Sequence, residues 1–122
     1  LLAGERPVIF GDGEQSRDFT FVDNAVHANL LAARCETPIG GEVCNIACGE
    51  RVTVNELAAT MAKHLGCPEL TPVYKDDRAG DVKHSLADLA KTKQTLGYEP
   101  VVDYERGLGV TVDWYREVAA GV

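Results

Sequence analysis

The chain has 122 residues, a formal net charge of −7 at pH 7, and an apolar fraction of 45%. This length favours one domain with a buried core, and the composition is that of an ordinary globular protein. The acidic balance argues against nucleic-acid binding, because no basic stripe is available to replace the counterions of a phosphate backbone. An acidic chain that binds an anionic ligand must rely on a few local cations, so each isolated arginine is of interest.

Neither a membrane segment nor a secretory signal is predicted, since no apolar run approaches the roughly 18 residues that cross a bilayer. Leu1–Pro7 lacks a basic region followed by a long apolar region, and the absence of a first Met fits a piece of a longer protein. The four cysteines have no Cys-x-x-Cys spacing, so no metal site is predicted. Cys44 and Cys48 on one strand would lie about 13 Å apart, too far for a disulfide. We therefore expect reduced cysteines and a cytoplasmic protein.

An apolar run at Pro7–Phe10 stops at a Gly-Asp-Gly turn, and a second alternating run follows at Phe19–Val22. Asp-Gly between two apolar runs predicts a hairpin, because glycine adopts positive φ at little cost. The loop presents Arg17, whose planar guanidinium suits an anion such as a phosphate. From the spacing alone, the commoner interpretation is a surface hairpin on which Arg17 and Asp18 are solvated charges.

Apolar periodicity and capping residues predict two helices in the first half of the chain. The first spans 24–34 with Asp23 as its cap, and its stripe is typical of a helix packed against a sheet. That stripe comprises Val22, Ala25, Val26, Leu30 and Ala33. The second helix is the most strongly specified, because Thr53–Glu56 forms a capping box and Gly66 supplies a stop.

Two further helices and two short strands are predicted around them. Ser85 is expected to cap a helix that stops at Gly97, and Asp103 to cap the last helix. Gly107 and Gly109 are expected to weaken that last helix by roughly 1 kcal/mol each relative to alanine. The predicted strands are Glu42–Gly49, which is apolar on both faces, and Leu70–Tyr74, which Pro72 places at a sheet edge.

Four motifs in this order resemble the extended short-chain dehydrogenase/reductase enzymes that act on nucleotide sugars. Phe10–Asp23 resembles the family's Gly-Asp-Gly…Arg-Asp-Phe/Tyr…Val-x-Asp segment, and Asn45–Gly49 resembles its Asn-Leu/Ile-Gly-x-Gly strand end. Arg78–Asp88 resembles its Arg-x-Gly-Asp…Ala-Asp segment, and Leu96–Pro100 its Leu-Gly-Tyr/Trp-x-Pro. The form Arg-x-Gly-Asp-Val-Lys-His-Ser is most similar to the UDP-glucose and UDP-N-acetylglucosamine 4-epimerases.

The resemblance covers only the C-terminal part of those enzymes. It implies an α/β fold of short strands and about four helices, lacking the N-terminal Rossmann half, with residues 1–122 as a single nucleotide-sugar-binding fragment. The family's Gly-x-x-Gly-x-x-Gly turn and Tyr-x-x-x-Lys pair have no counterpart in the sequence. No catalytic residue is therefore assigned, and NAD is expected in the intact family enzyme but not on this fragment alone.

The resemblance also implies a set of substrate-binding residues. Arg17 and Arg78 match the arginines that contact the diphosphate, and Asp81 matches the carboxylate that accepts from ribose hydroxyls. Val8 and Phe10 match the strand that lines the uracil. The alternative to a ligand-binding role for Asp81 is a structural ion pair with Arg78. With Ser85 as a weaker candidate beside its capping role, the set is Val8, Phe10, Arg17, Arg78, Asp81 and Ser85.

The function implied is the UDP-sugar-binding part of an NAD-dependent sugar-nucleotide 4-epimerase, an isomerase, inactive without its NAD-binding half. A related dehydratase, decarboxylase or reductase fragment is an alternative, as is a stand-alone nucleotide-binding or interaction module. The helix at 23–34 and the strand at 42–48 resemble a unit that, in the family enzymes, packs onto the sheet of the cofactor domain. Without that sheet we expect an exposed apolar face, and a homo-oligomer formed by self-association or strand exchange.

Overall fold

The computed structural model describes residues 1–121 and shows an α/β chain of four helices and four short strands. The strands are β1 (Val8–Phe10), β2 (Ser16–Arg17), β3 (Val52–Thr53) and β4 (Val73–Lys75). The helices are α1 (Val22–Arg34), α2 (Val54–Leu65), α3 (Ala90–Leu96) and α4 (Tyr104–Ala120). Within residues 1–121, every helix is too short or too polar to span a bilayer. The predicted α/β class with about four helices is confirmed.

The strands pair across long distances in the chain rather than as a hairpin. β1 runs parallel to β4, with Val8 opposite Val73, and β2 runs antiparallel to β3. The predicted hairpin is therefore wrong, and 19–21 form no strand. The turn bends against the start of α2 instead: the Asn55 backbone N–H donates to Gly13 O at 3.0 Å. A side chain at Gly13, whose φ is +76°, would place its Cβ 1.9 Å from Asn55 Oδ1.

Helices α2 and α4 pack against each other, and both ends of α2 and the start of α4 are as predicted. Thr53 Oγ1 accepts from Glu56 N at 3.1 Å, the Glu56 carboxylate accepts from Thr53 N at 2.7 Å, and Gly66 ends α2 at φ 73°. The carboxylate of Asp103 accepts from Arg106 N at 2.8 Å at the start of α4. The predicted capping box, glycine stop and aspartate cap are confirmed.

Helix α1 is present, but its predicted cap is wrong. The helix follows Phe21, which makes no capping hydrogen bond through its side chain, and Asp23 lies inside the first turn. The apolar stripe faces outward, as expected for a helix without its covering sheet. Val22, Val26 and Leu30 are 62%, 50% and 47% exposed.

Glu42–Gly49 forms no strand in the described part of the chain, so that prediction is wrong. With no neighbouring strand to pair with, the segment is held by side chains. Tyr98 Oη donates to Ala47 O at 2.9 Å, and Thr92 Oγ1 donates to Asn45 O at 2.6 Å. Both donors come from fully buried residues, and a small core forms here from Ala28, Ala47, Leu89 and Tyr98.

The third helix starts later than predicted. The backbone N–H of Ser85 donates to Ser16 O at 3.0 Å, which ties this residue to β2 instead of capping a helix. The cap at Ser85 is therefore wrong; the Asp88 carboxylate accepts from Ala90 N at 2.9 Å, and α3 begins there. The stop at Gly97 is confirmed by its left-handed φ of 62°. The predicted strand at Leu70–Tyr74 is present as the shorter β4.

Candidate functional site

A cleft of about 740 Å³ opens between β1, the glycine turn and the loop that follows β4. Its volume is within the range of small-molecule sites, roughly 300–1,000 Å³. The cleft is lined by Phe10, Gly11, Asp12, Gln15, Tyr74, Lys75, Asp76, Asp77, Arg78, Asp81 and Lys83. The predicted residues Phe10, Arg78 and Asp81 are therefore brought to one place.

Arg17 does not line the cleft itself, but it pairs with Asp81, which does. Its Nη2 donates to Asp81 Oδ1 at 2.5 Å, and its Nη1 donates to Ser16 O at 2.8 Å. The guanidinium has five N–H donors, so the remaining ones stay available to a ligand. The alternative of an ion pair between Asp81 and Arg78 is wrong, because the partner of Asp81 is Arg17.

Arg78 lies over the ring of Phe10, with its guanidinium carbon 4.0 Å from the ring centroid. This is a cation–π contact, in which the flat face of the guanidinium is occupied and its N–H edge is free. The side chain of Arg78 makes no ion pair within residues 1–121. The guanidinium is thus held in place without a carboxylate that a phosphate would have to displace.

A second ion pair in the cleft joins Lys83 to Asp12, which lies in the glycine turn. The Lys83 Nζ lies 2.6 Å and 2.7 Å from the two carboxylate oxygens of Asp12. That hydrogen bond, aided by the Glu14 backbone N–H, lowers the pKa of Asp12. The pairing of Lys83 with Asp12 is not predictable from the sequence, because the two residues are 71 positions apart and no local pattern links them.

Val8 and Ser85 do not line the cleft. Val8 is 48% exposed at the start of β1, two residues before Phe10. Ser85 is exposed, and its backbone is bound to β2. Their roles as ligand contacts stay predictions.

Asp18 is not the solvated charge that the hairpin interpretation expected. Its carboxylate accepts from the backbone N–H groups of Cys48 at 3.0 Å, Gly49 at 3.1 Å and Ala87 at 3.4 Å. Asp18, which follows Arg17 directly, therefore joins the end of β2 to two distant segments of the chain. All three donors come from irregular backbone, so spacing could not have revealed this role.

The glycine turn and the N-terminus of α2 do not form an NAD pyrophosphate site. The Gly11–Gly13 turn leads into β2 rather than a helix, so it cannot direct helical N–H groups at a pyrophosphate. The N-terminus of α2 is already occupied by its capping box. Residues 1–121 also contain no cluster of three or more His, Cys, Asp or Glu side chains placed to hold a metal ion.

Comparison with known proteins agrees with the family that the motif order resembles. The model of the GDP-mannose 4,6 dehydratase family matches residues 1–111. The UDP-glucose 4-epimerase of Mycolicibacterium smegmatis is 35% identical over 116 residues, which are 95% of this chain and 36% of that protein.

Two solved structures show the same fold over nearly the whole chain. The UDP-glucose 4-epimerase of Thermotoga maritima, solved with UDP-glucose, is 44% identical with a TM-score of 0.87 over 97% of this chain and 37% of that one. The UDP-glucuronic acid 4-epimerase of Bacillus cereus, solved with UDP-glucuronic acid and NAD, is 31% identical with a TM-score of 0.83 over 92% of this chain and 36% of that one.

The chain therefore spans a little over a third of the length of the relatives it matches. It corresponds to their C-terminal portion, and NAD belongs to the intact family enzymes. The chain is a member of the GDP-mannose 4,6 dehydratase family, the NAD-dependent epimerases and dehydratases of nucleotide sugars.

Proposed function

We propose that residues 1–122 are the UDP-sugar-binding part of an NAD-dependent sugar-nucleotide 4-epimerase, inactive without an NAD-binding half. The observation that carries this proposal is that Phe10, Arg78 and Asp81 line one cleft and that Arg17 pairs with Asp81 beside it. Arg17 and Asp81 are 64 positions apart in the chain and yet pair directly. The solved relatives that hold UDP-glucose and UDP-glucuronic acid support a nucleotide-sugar ligand for this cleft.

The chemistry of the cleft suits a nucleoside diphosphate. Arg17 and Arg78 each offer free N–H donors, and two guanidiniums offset the charge of a diphosphate through charge-assisted hydrogen bonds. The second carboxylate oxygen of Asp81 is free to accept from a ribose hydroxyl. The stacked pair of Arg78 and Phe10 offers a flat surface beside a base.

Val8 and Ser85 complete the proposed site as outer contacts. Val8 begins the strand that carries Phe10, and Ser85 follows the loop that carries Arg78 and Asp81. Contacts to the nucleotide would hold the sugar in place while it reacts elsewhere in the enzyme.

The test is calorimetric titration of UDP into the protein as its gene encodes it, with Arg17→Ala, Arg78→Ala and the double variant. Each single substitution removes charge-assisted hydrogen bonds, so we expect about tenfold weaker binding or worse, and no measurable binding in the double variant. Arg106→Ala is the matched control, because that arginine is exposed on α4 away from the cleft. UDP binding that survives the double substitution would overturn the site.

The product that the protein forms from a UDP-sugar identifies the reaction class. A 4-epimerase returns an isomer of the same mass, a dehydratase a product lighter by one water, and a decarboxylase one lighter by carbon dioxide. We expect the isomer, and mass spectrometry with chromatography of the product distinguishes the three. UDP binding with no turnover in the encoded protein would instead favour a stand-alone binding module.

We also infer that the 122-residue chain self-associates through α1, as a dimer or larger homo-oligomer. The exposed stripe of Val22, Val26 and Leu30 and the neighbouring unpaired segment, where Val43 is 80% exposed, support this inference. Light scattering should show an oligomer that Val26→Lys with Leu30→Lys dissociates, whereas Val118→Lys, at a 49% exposed site on α4, should not. A strict monomer at high concentration would contradict it.

A cytoplasmic location is supported by all four cysteines being free thiols.

A further inference from the structure

We propose that His84 is a positioning residue of the nucleotide site, because its hydrogen bond to Ser16 holds the ligand loop, residues 76–82, in place. The ligand loop carries two of the proposed contacts, Arg78 and Asp81. The inference rests on the proposed function, since it concerns nucleotide binding in the same cleft. His84 itself does not line that cleft.

The ligand loop needs an external anchor. Every residue from 76 to 82 is exposed, and the segment has no helix or strand of its own. Its one backbone hydrogen bond within the described residues runs from Asp81 N to Arg78 O, at 3.3 Å. Its upstream end is fixed by β4, where Gly11 N donates to Lys75 O at 2.8 Å. The backbone of the loop is next held at its downstream end.

The downstream end is fixed to a single residue of β2. Ser16 N donates to Lys83 O at 2.8 Å, and Ser85 N donates to Ser16 O at 3.0 Å. Between these two backbone bonds, Ser16 Oγ lies 2.9 Å from His84 Nδ1. Residues 83–85 thus form a strap, bound to β2 by two backbone bonds and one side-chain bond.

The side-chain bond is the part of the strap that depends on residue type. Ser16 is 3% exposed, so its hydroxyl would lack a partner if His84 were removed. The Lys83–Asp12 pair is also nearby, but its side chains are 52% and 60% exposed, and exposed ion pairs contribute little to stability. His84 is also exposed, but its bond provides the partner of a buried hydroxyl, so it makes the larger specific contribution to closing the strap.

Binding of the strap to β2 also fixes the position of the Arg17–Asp81 pair. Ser16 O accepts from both Ser85 N and Arg17 Nη1, so one carbonyl orients the strap and the guanidinium together. If the strap opens, Asp81 moves away from Arg17 and Arg78 leaves the Phe10 ring. A site that is assembled only part of the time binds its ligand more weakly in proportion to the assembled fraction.

The experiment compares His84→Ala, His84→Asn and Ser16→Ala in the encoded protein, with UDP titration and amide hydrogen exchange as readouts. We expect His84→Ala and Ser16→Ala each to weaken UDP binding roughly tenfold and to speed exchange at the Ser16 and Ser85 amides. His84→Asn should restore binding to within about twofold of wild type, because its amide lies near the position of Nδ1. Val82→Ala, at a 60% exposed site in the same loop, is the matched control.

The double variant Ser16→Ala with His84→Ala should bind UDP no more weakly than either single variant, since both remove the same bond. Wild-type affinity in His84→Ala, or equal losses in His84→Asn and His84→Ala, would overturn the positioning role. If the wild-type protein binds neither UDP nor a UDP-sugar, the proposed function itself fails. Hydrogen exchange without ligand then still tests the strap, which fails if the Ser85 amide exchanges equally fast in wild type and His84→Ala.

Discussion

Helices α1 and α2 have similar apolar patterns but are stabilised in different ways. Helix α2 has a capping box and a glycine stop, and it buries Ala58 and Ala62 from its apolar stripe. Helix α1 lacks a side-chain cap, exposes its apolar stripe, and buries Asn24 and Ala28 on the other side. Periodicity therefore identified both helices and the buried face of α2, but it did not indicate the face that α1 buries in this chain.

The anchor of α1 is polar. Asn24 is fully buried, and its Oδ1 accepts from the backbone N–H groups of Val101 and Val102 at 2.8 Å and 2.9 Å. Its Nδ2 donates to Val102 O at 2.7 Å and to Thr20 Oγ1 at 3.1 Å. One side chain thus joins α1 to the segment that leads into α4, a role that apolar residues have on α2.

The largest expected effect is that of Asn24→Ala. The substitution leaves the Val101 and Val102 N–H groups without their partner, so we expect the free energy of unfolding to fall by about 3 kcal/mol. Asn29→Ala, at an exposed position of the same helix outside the apolar stripe, should change it by no more than about 0.5 kcal/mol. Urea unfolding measures both, and an equal loss in Asn29→Ala would mean that the buried Asn24 side chain is not what anchors α1.

A smaller effect is expected at the glycines of α4. A Cβ on Gly107 would lie 2.6 Å from Phe21 Cβ, whereas one on Gly109 would lie 3.2 Å from His64 Cε1. Gly107→Ala should therefore destabilise the fold by about 2 kcal/mol, because Phe21 precedes α1 and cannot move freely. Gly109→Ala should be neutral or stabilising, since alanine favours the helix by about 1 kcal/mol.

Thermal unfolding of the two glycine variants distinguishes packing from propensity. The sequence prediction treated both glycines as equally weakening, because helix propensity does not depend on neighbours. If Gly107→Ala proves as stable as Gly109→Ala, the contact between α4 and the start of α1 contributes nothing measurable.

Elements specified by nearby residues were predicted well, and those specified by distant residues were not. The α2 cap depends on Thr53 and Glu56, which are three residues apart. The partner of β1 is β4, which begins 65 residues after β1 does, and no local pattern contains that information. The 42–49 segment was predicted as a strand from its composition, but the described residues provide no strand to pair with it.

The candidate site shows the same limit. The resemblance brought Phe10, Arg17, Arg78 and Asp81 together, because family motifs encode proximity that spacing does not. The resemblance did not indicate that Asp81 would pair with Arg17 or that His84 would bind Ser16. Such pairs depend on how β2 and the ligand loop are placed side by side, which is a property of the folded chain.

The smallest expected effect concerns the pH dependence of the α2 cap. Hydrogen bonds from the Thr53 backbone N–H and then its hydroxyl, at 2.7 Å and 2.9 Å, lower the pKa of Glu56. A lowered folded-state pKa adds stability above the unfolded value, and that stability is lost as the pH falls through the folded value. Wild-type Tm should therefore fall as the pH drops below roughly 4.

Glu56→Gln keeps an oxygen that can accept from Thr53 but removes the titration, so its Tm should vary less steeply with pH in that range. The contribution of Asp12, whose pKa is also lowered, is common to both proteins and cancels in the comparison. Calorimetric scans between about pH 3 and 6 would measure the two slopes. Identical slopes would mean that the charge of Glu56 adds nothing to the cap, and that α2 differs from α1 through its buried apolar face alone.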